Sequence, residues 1–232
     1  MTTSTRCQDC ISNQFCIPST LNHYETNQLD SIILRKKPLH RGQLLFESGD
    51  KLTALYAIRS GIIKSYTVTQ QGKEQITAFY STGDILGFDA INTLRYPTSA
   101  RVLDTSMVCE IPFENLEHLS SKIPSLRRQL LRLMSRHIQY DQENLSITRK
   151  KAKTGLATFI YKLICNRAQR GLSPTSLRLS MSHTEIGNYL GLSLETISRL
   201  FSNLQESGIL MIKGRYITIQ DSDKLARISN NG

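Results

Sequence analysis

Ser182-His183-Thr184-Glu185-Ile186-Gly187-Asn188-Tyr189-Leu190-Gly191-Leu192-Ser193-Leu194-Glu195-Thr196-Ile197-Ser198-Arg199-Leu200-Phe201-Ser202-Asn203-Leu204-Gln205-Glu206 holds two short helical patterns split by a glycine turn. Ser182 is placed to cap the first, Thr184 to Leu190, with Glu185 three residues on completing a capping box. Gly187 is small where two helices must approach, and Gly191 supplies a turn at positive φ. The second helix runs from Leu194 to Glu206. Ile197, Leu200, Phe201 and Leu204 turn inward on it, which leaves Glu195, Thr196, Ser198, Arg199 and Asn203 outward. The pattern is a helix-turn-helix. Past Gly208, two short apolar runs, Ile209 to Ile212 and Tyr216 to Ile219, flank Lys213-Gly214-Arg215. They form a hairpin with a basic tip, so the unit reads as a winged helix.

Glu195 and Arg199 stand at i and i+4, which on any helix is worth a few tenths of a kcal/mol. On a helix laid in a major groove, Glu accepts from cytosine N4 and Arg donates two bonds to guanine. Ser198 is short enough for close approach to a base or a phosphate. The charge agrees with a polyanion partner. Residues 1–148 hold 16 Lys and Arg against 14 Asp and Glu, whereas residues 149–232 hold 13 against 5, so most of the net +10 sits in the last third. A plain basic surface gives the same numbers.

Working toward the N-terminus, no Gly occurs between Gly87 and Gly155 and no Pro between Pro124 and Pro174. Leu131, Met134, Ile138, Asp141, Leu145 and Thr148 recur there at steps of three and four, a seam on a helix of about seven turns. Such a seam packs on its own domain or closes against a second copy. The added length favours a two-helix homodimer contact, with Asp141 placed so that two carboxylates meet across it. A further helix is expected at 156–170, with Cys165 on its apolar side. From Pro38 to Pro112, short apolar runs alternate with Gly42, Gly49, Gly61, Gly72 and Gly83, the sign of an antiparallel β-sandwich or roll.

Residues 1–20 are polar and aperiodic, and read as a loose tail. They carry Cys7, Cys10 and Cys16 in a CxxCx5C spacing, close enough for the thiolates to share one metal or cluster. No stretch reaches the ~20 apolar residues of a membrane span, and the start lacks a secretory core. The chain therefore reads as cytoplasmic, where five cysteines stay reduced and serve as ligands more readily than as disulfides. No nucleophile–base pair, phosphate loop or paired-carboxylate site indicates an enzyme, and the five histidines show no ligand spacing.

With these residues in view, the chain resembles the catabolite-activator/FNR superfamily of bacterial transcription regulators, and within it the oxygen-sensing fumarate and nitrate reduction branch. The resemblance is strongest over Cys7–Cys16, Gly83–Ile91, Ser106–Phe113 and Ile186–Leu200. It implies an α+β protein: an N-terminal cyclic-nucleotide-binding-like β-roll (jelly roll), a long dimerisation helix and a C-terminal winged helix-turn-helix. The expected division is 1–20 cluster-binding, 21–120 β-roll, 121–150 dimerisation helix and 151–232 DNA-binding. It implies a 4Fe–4S cluster on Cys7, Cys10, Cys16 and Cys109, a fourth ligand that spacing alone does not choose over Cys165. Zinc is the rival for the same thiols.

The resemblance further implies a cluster-promoted homodimer with the seam Leu131, Met134, Ile138, Asp141 and Leu145, which oxygen takes apart. DNA would be read through Glu195, Ser198 and Arg199 at TTGAT–ATCAA-like sites. RNA polymerase would be met by Arg170–Ser173 and by the turn Gln71-Gly72-Lys73, where the family often has an acidic residue at the position of Lys73. No cyclic nucleotide is expected: Gly87-Phe88-Asp89 and Thr98-Ser99 stand where the activators have Gly-Glu-Leu and Arg-Ser, and Arg101 is two positions off. Phe15 is a candidate shield for the cluster edge. The competing readings are a nucleotide-responsive activator with structural cysteines and a zinc-stabilised repressor.

Overall fold

The structure, a computed structural model, describes residues 6–230, which divide after Tyr140 into two compact units.

In the first unit the cysteine segment is ordered as three successive 3₁₀ turns, Cys7–Asp9, Asn13–Phe15 and Ile17–Thr20. The sequence suggested a loose tail. Burial contributes to the difference: Ile17, directly after Cys16, is fully buried in the core of the unit, and Cys7, Ser12 and Pro18 are buried too. Burying such a side chain supplies about 1.5–3 kcal/mol toward holding a segment that has no periodicity of its own. Helix α1 (His23–Ile32) follows, started by a reciprocal capping box between Asn22 and Glu25.

The strands are β1 (Leu34–Arg35), β2 (Leu44–Phe46), β3 (Ala54–Ser60), β4 (Ile62–Val68), β5 (Glu74–Ser81), β6 (Ile85–Leu86), β7 (Ser99–Val102) and β8 (Met107–Pro112). They form two four-stranded antiparallel sheets, ordered β1-β8-β3-β6 and β2-β7-β4-β5. Leu55, Ile58, Ile63, Ala100, Val102 and Ile111 fill the space between them. Cys109 sits mid-strand in β8, opposite Arg35 of β1 on one side and Ala57 of β3 on the other. Opposed residues point to the same face, so β1 delivers a guanidinium beside that thiol.

Helix α2 (Phe113–Lys122) leaves β8 directly, and α3 (Pro124–Thr148) follows. Leu126 and Leu133 of α3 are buried against the β-roll, with Leu130 and Met134 partly so. Met134 therefore serves the roll's own core. Leu131, Ile138 and Leu145, each seven residues apart, remain 61, 58 and 52% exposed.

The second unit holds α4 (Ala152–Gln169), β9 (Ser176–Arg178), α5 (His183–Leu190), α6 (Leu194–Glu206), β10 (Leu210–Lys213), β11 (Tyr216–Ile219) and α7 (Ser222–Asn230). A small antiparallel sheet, β10-β11-β9, forms the wing. The α5–α6 turn depends on two glycines. Gly191 closes α5 at φ +69°, and a Cβ on Gly187 would lie 2.6 Å from the Leu192 carbonyl oxygen. Gly187 CO accepts from Leu192 N at 2.8 Å, ending the helix in a Schellman-type turn.

Candidate metal centre and nucleic-acid interface

Cys7, Cys10, Cys16 and Cys109 line one cavity, together with Ser12 and Arg59 among others. Cys7 opens the first 3₁₀ turn, Cys10 closes it and Cys16 joins the second turn to the third, while the fourth thiol comes from β8, about ninety positions later. Cys165 does not line it. That cysteine is half-buried on α4 beside Tyr161, whose hydroxyl titration it raises, and it is not among the helix's buried apolar residues. The expectation that Cys165 is a core residue is corrected to that extent.

Burial pushes the Cys16 thiol up to about 12 and raises the Cys7 and Cys109 thiols as well. Neighbouring thiols add to the effect: Cys16 and Cys109 on Cys7, Cys109 and Cys10 on Cys16, and Cys10 on Cys109. Asp30 raises Cys7 further, while Arg59 and Arg35 oppose the rise at Cys109. Without a cation the thiols stay protonated, and a metal that binds them must displace the protons. Among the described residues, no three His, Cys, Asp or Glu converge as around a single ion. One tetrahedral ion draws its sulfurs to within about 4 Å of each other. Four thiols on one cavity are a donor set that would suit an iron–sulfur cluster, and zinc takes thiolates as well.

The backbone around these thiols is held on every side. Cys7 N donates to Asp30 Oδ1 at 2.8 Å, Asp30 pairs with Arg35, and Arg35 Nη2 lies 4.0 Å from Cys7 Sγ. The Asn13 amide donates to the Cys7 carbonyl at 2.9 Å. Helix α3 holds the other end of the segment. Gln129, 5% exposed, reaches Cys16 CO at 3.4 Å and Ser19 Oγ at 2.8 Å, and it accepts from Thr20 Oγ1 at 3.1 Å. Arg136 donates to Phe15 CO at 2.6 Å. Phe15 itself is half-buried. Sequence reasoning missed Asp30, Arg35, Gln129 and Arg136. The Gln129 and Arg136 contacts join positions more than a hundred residues apart, and no local pattern announces them.

Residues of the stretch matched to the activators' nucleotide site are engaged by the protein's own groups. Phe88 is buried and meets His137 edge-on at 5.9 Å, while His137 stacks on Tyr80 at 6.0 Å. Ser99 Oγ accepts from Ser48 N at 3.0 Å. Arg101 is engaged by Glu74 and by Tyr66 Oη at 2.6 Å.

In the second unit, Ser193 caps α6, and Glu195 and Arg199 project from it exposed. Ile197, Phe201 and Leu204 are buried beneath. Ser198 is half-buried, its hydroxyl 3.3 Å from Nδ1 of His183, which stacks on Phe201 at 4.6 Å. Its reach outward is therefore shorter than the sequence suggested. Lys213, Gly214, Arg215 and Tyr216 are exposed at the wing tip. Gln71-Gly72-Lys73 and Gly171-Leu172-Ser173 are exposed turns, with Arg170 half-buried.

Residues 36–122 match the cyclic nucleotide-binding domain and residues 156–228 the Crp-like helix-turn-helix domain. Among solved structures, FixK2 from Bradyrhizobium japonicum shares the fold at a TM-score of 0.75 and 22% identity, covering 86% of this chain and 99% of that one. Fumarate and nitrate reduction regulatory proteins match far more closely in sequence. That of Shigella dysenteriae is 57% identical and that of Escherichia coli K12 is 56% identical, each over 97% of this chain and 90% of the relative. The corresponding protein of Klebsiella oxytoca is 58% identical over 96% and 90%. On a β-roll joined to a Crp-like helix-turn-helix, and at this identity along nearly its whole length, the chain belongs to the family of fumarate and nitrate reduction regulatory proteins and is a transcription regulator, not an enzyme.

Proposed function

We propose that the protein is a cytoplasmic, oxygen-responsive regulator whose DNA-binding homodimer is controlled at the thiol cavity. Cys7, Cys10, Cys16 and Cys109 would hold a 4Fe–4S cluster, which supplies sensitivity to oxygen. The observation that carries the reading is the joint placement of four thiols on one cavity and of α3 hydrogen-bonded to the carbonyls of Phe15 and Cys16. The chain's own residues do the rest. Ile17 seats the cysteine segment in the core. Gln129 and Arg136 fix its end to α3. The exposed row Leu131, Ile138 and Leu145 offers the partner an apolar stripe, with Met134 at its inner edge and Asp141 opposing closure. Two copies of α6 then meet two half-sites of a TTGAT–ATCAA-like palindrome, through Glu195, Arg199 and, at closer quarters, Ser198.

The four segments 1–20, 21–120, 121–150 and 151–232 act here as sensor, roll, dimer helix and reader. RNA polymerase would be met at the exposed turns around Gly72 and Gly171. The engagement of Phe88 by His137 and of Arg101 by Glu74 and Tyr66 supports a regulator that takes no cyclic nucleotide.

The test is anaerobic reconstitution with iron and sulfide. The parent should gain visible iron–sulfur absorption that fades in air as dimer and DNA binding are lost, and Cys109→Ser should abolish the absorption. A colourless protein holding one zinc per chain would establish the zinc-stabilised reading instead.

A further inference from the structure

Ser12 lies between Cys10 and Cys16, is 3% exposed, and lines the thiol cavity. Its hydroxyl oxygen is enclosed and has no hydrogen-bond partner among the described residues. Its backbone is already engaged, since the Ser12 carbonyl accepts from Phe15 N at 3.0 Å. The neighbouring polar side chain is engaged too, Asn13 on the Cys7 carbonyl. Among the described residues, the buried side chains of Glu110, Lys162 and Asn144 come into question as well. Glu110 and Lys162 have ion-pair partners in Lys36 and Glu143, and Asn144 belongs to the second unit. Ser12 is thus the orphan on the cavity. A buried hydroxyl without a partner forfeits its hydration for nothing, and native proteins keep few of them.

The cavity's other chemistry is sulfur. Sulfide and thiolate sulfurs accept hydrogen bonds, and such bonds set the properties of iron–sulfur centres. We propose that Ser12 is a tuning residue of this site: its hydroxyl donates to a sulfur of the iron–sulfur cluster held by the four cysteines, without ligating iron. The proposal rests on the cluster reading above. A donor on sulfur withdraws electron density, favours the more reduced state and slows attack by oxygen.

The experiment uses the full chain, reconstituted anaerobically with iron and sulfide, as parent, Ser12→Ala and Ser12→Thr. In air-saturated buffer the visible absorption of Ser12→Ala should fade roughly fivefold faster than the parent's, the ratio that one ordinary hydrogen bond is worth. Its one-electron midpoint potential should fall. Ser12→Thr, which keeps the hydroxyl, should return both toward the parent. Without the cluster, Ser12→Ala should melt at or above the parent temperature, because it removes an unsatisfied group. An alanine variant with parental fading and potential overturns the inference alone, as does one whose cluster-free form melts lower. A parent that takes up no cluster overturns the cluster reading, and this inference with it.

Discussion

Arg136 donates its guanidinium to the carbonyl of Phe15 at 2.6 Å, the residue directly before Cys16, and so ties α3 to the end of the cysteine segment. Gln129, seven residues earlier on the same row of α3, does the same for Cys16 and Ser19 from a buried position. These two side chains are the physical link between thiol chemistry and the helix proposed to dimerise. Gln129→Ala leaves the Cys16 carbonyl and two hydroxyls without their partner and should cost about 1–3 kcal/mol of stability. Both Gln129→Ala and Arg136→Ala should still take up a cluster, since every thiol remains, but dimerise severalfold more weakly. Sedimentation of the anaerobic protein alongside its visible spectrum separates these effects.

Asp141 is exposed on α3, and its charge raises the titration of the buried Tyr189 hydroxyl, after burial itself. Closing a homodimer along the Leu131–Ile138–Leu145 row would bring two such carboxylates out of water. Asp141→Ala should therefore favour the dimer by about 1 kcal/mol or more, so that dimer persists in air. A variant as monomeric as the parent in air would acquit Asp141 as the brake.

Arg199 is exposed on α6 four residues after Glu195. Arg199→Ala should weaken binding to a guanine-containing half-site by about 1–3 kcal/mol while leaving non-specific binding nearly unchanged. Titrations of specific and scrambled duplexes at one salt concentration decide it. Equal loss on both would make Arg199 a phosphate contact.

Burial lowers the His183 imidazole from 6.5, where it stacks on Phe201. The unfolded chain then binds a proton that the folded one resists, so stability falls as pH drops through about 6.5 and levels off below the folded value. Thermal melts between pH 7.5 and 5 should show that decline, and His183→Gln should flatten it.

The reading unit was legible because its signals are local. Ser182, Glu185, Gly187 and Gly191 each act within six residues, and the expected bounds of α6 match the structure. The β-roll was legible in kind from its spaced glycines, but not in pairing, since Cys109 meets Arg35 and Ala57 across distances no pattern encodes. The four cysteines of the cavity could be named by resemblance, whereas the groups that hold their segment could not. Gln129 and Arg136 look like ordinary polar positions on an amphipathic helix, and Ser12 like any loop serine. The tail was misread because its buried residues, Ile17 and Pro18 among them, and its hydrogen bonds to Gln129 and Arg136 leave no mark in its mostly polar composition.

On α3 the row Gln129–Arg136 and the row Leu131–Ile138 are offset by two residues, about 200° around the axis. The cysteine segment thus touches one side of the rod, and the proposed partner would touch the opposite one, without competing for surface. A lineage could refit the sensing side for a different chemical signal while the mating side stays unaltered, since neither row constrains the other's side chains. The helix is a shared shaft whose two ends of trade, environment and partner, can be renewed independently.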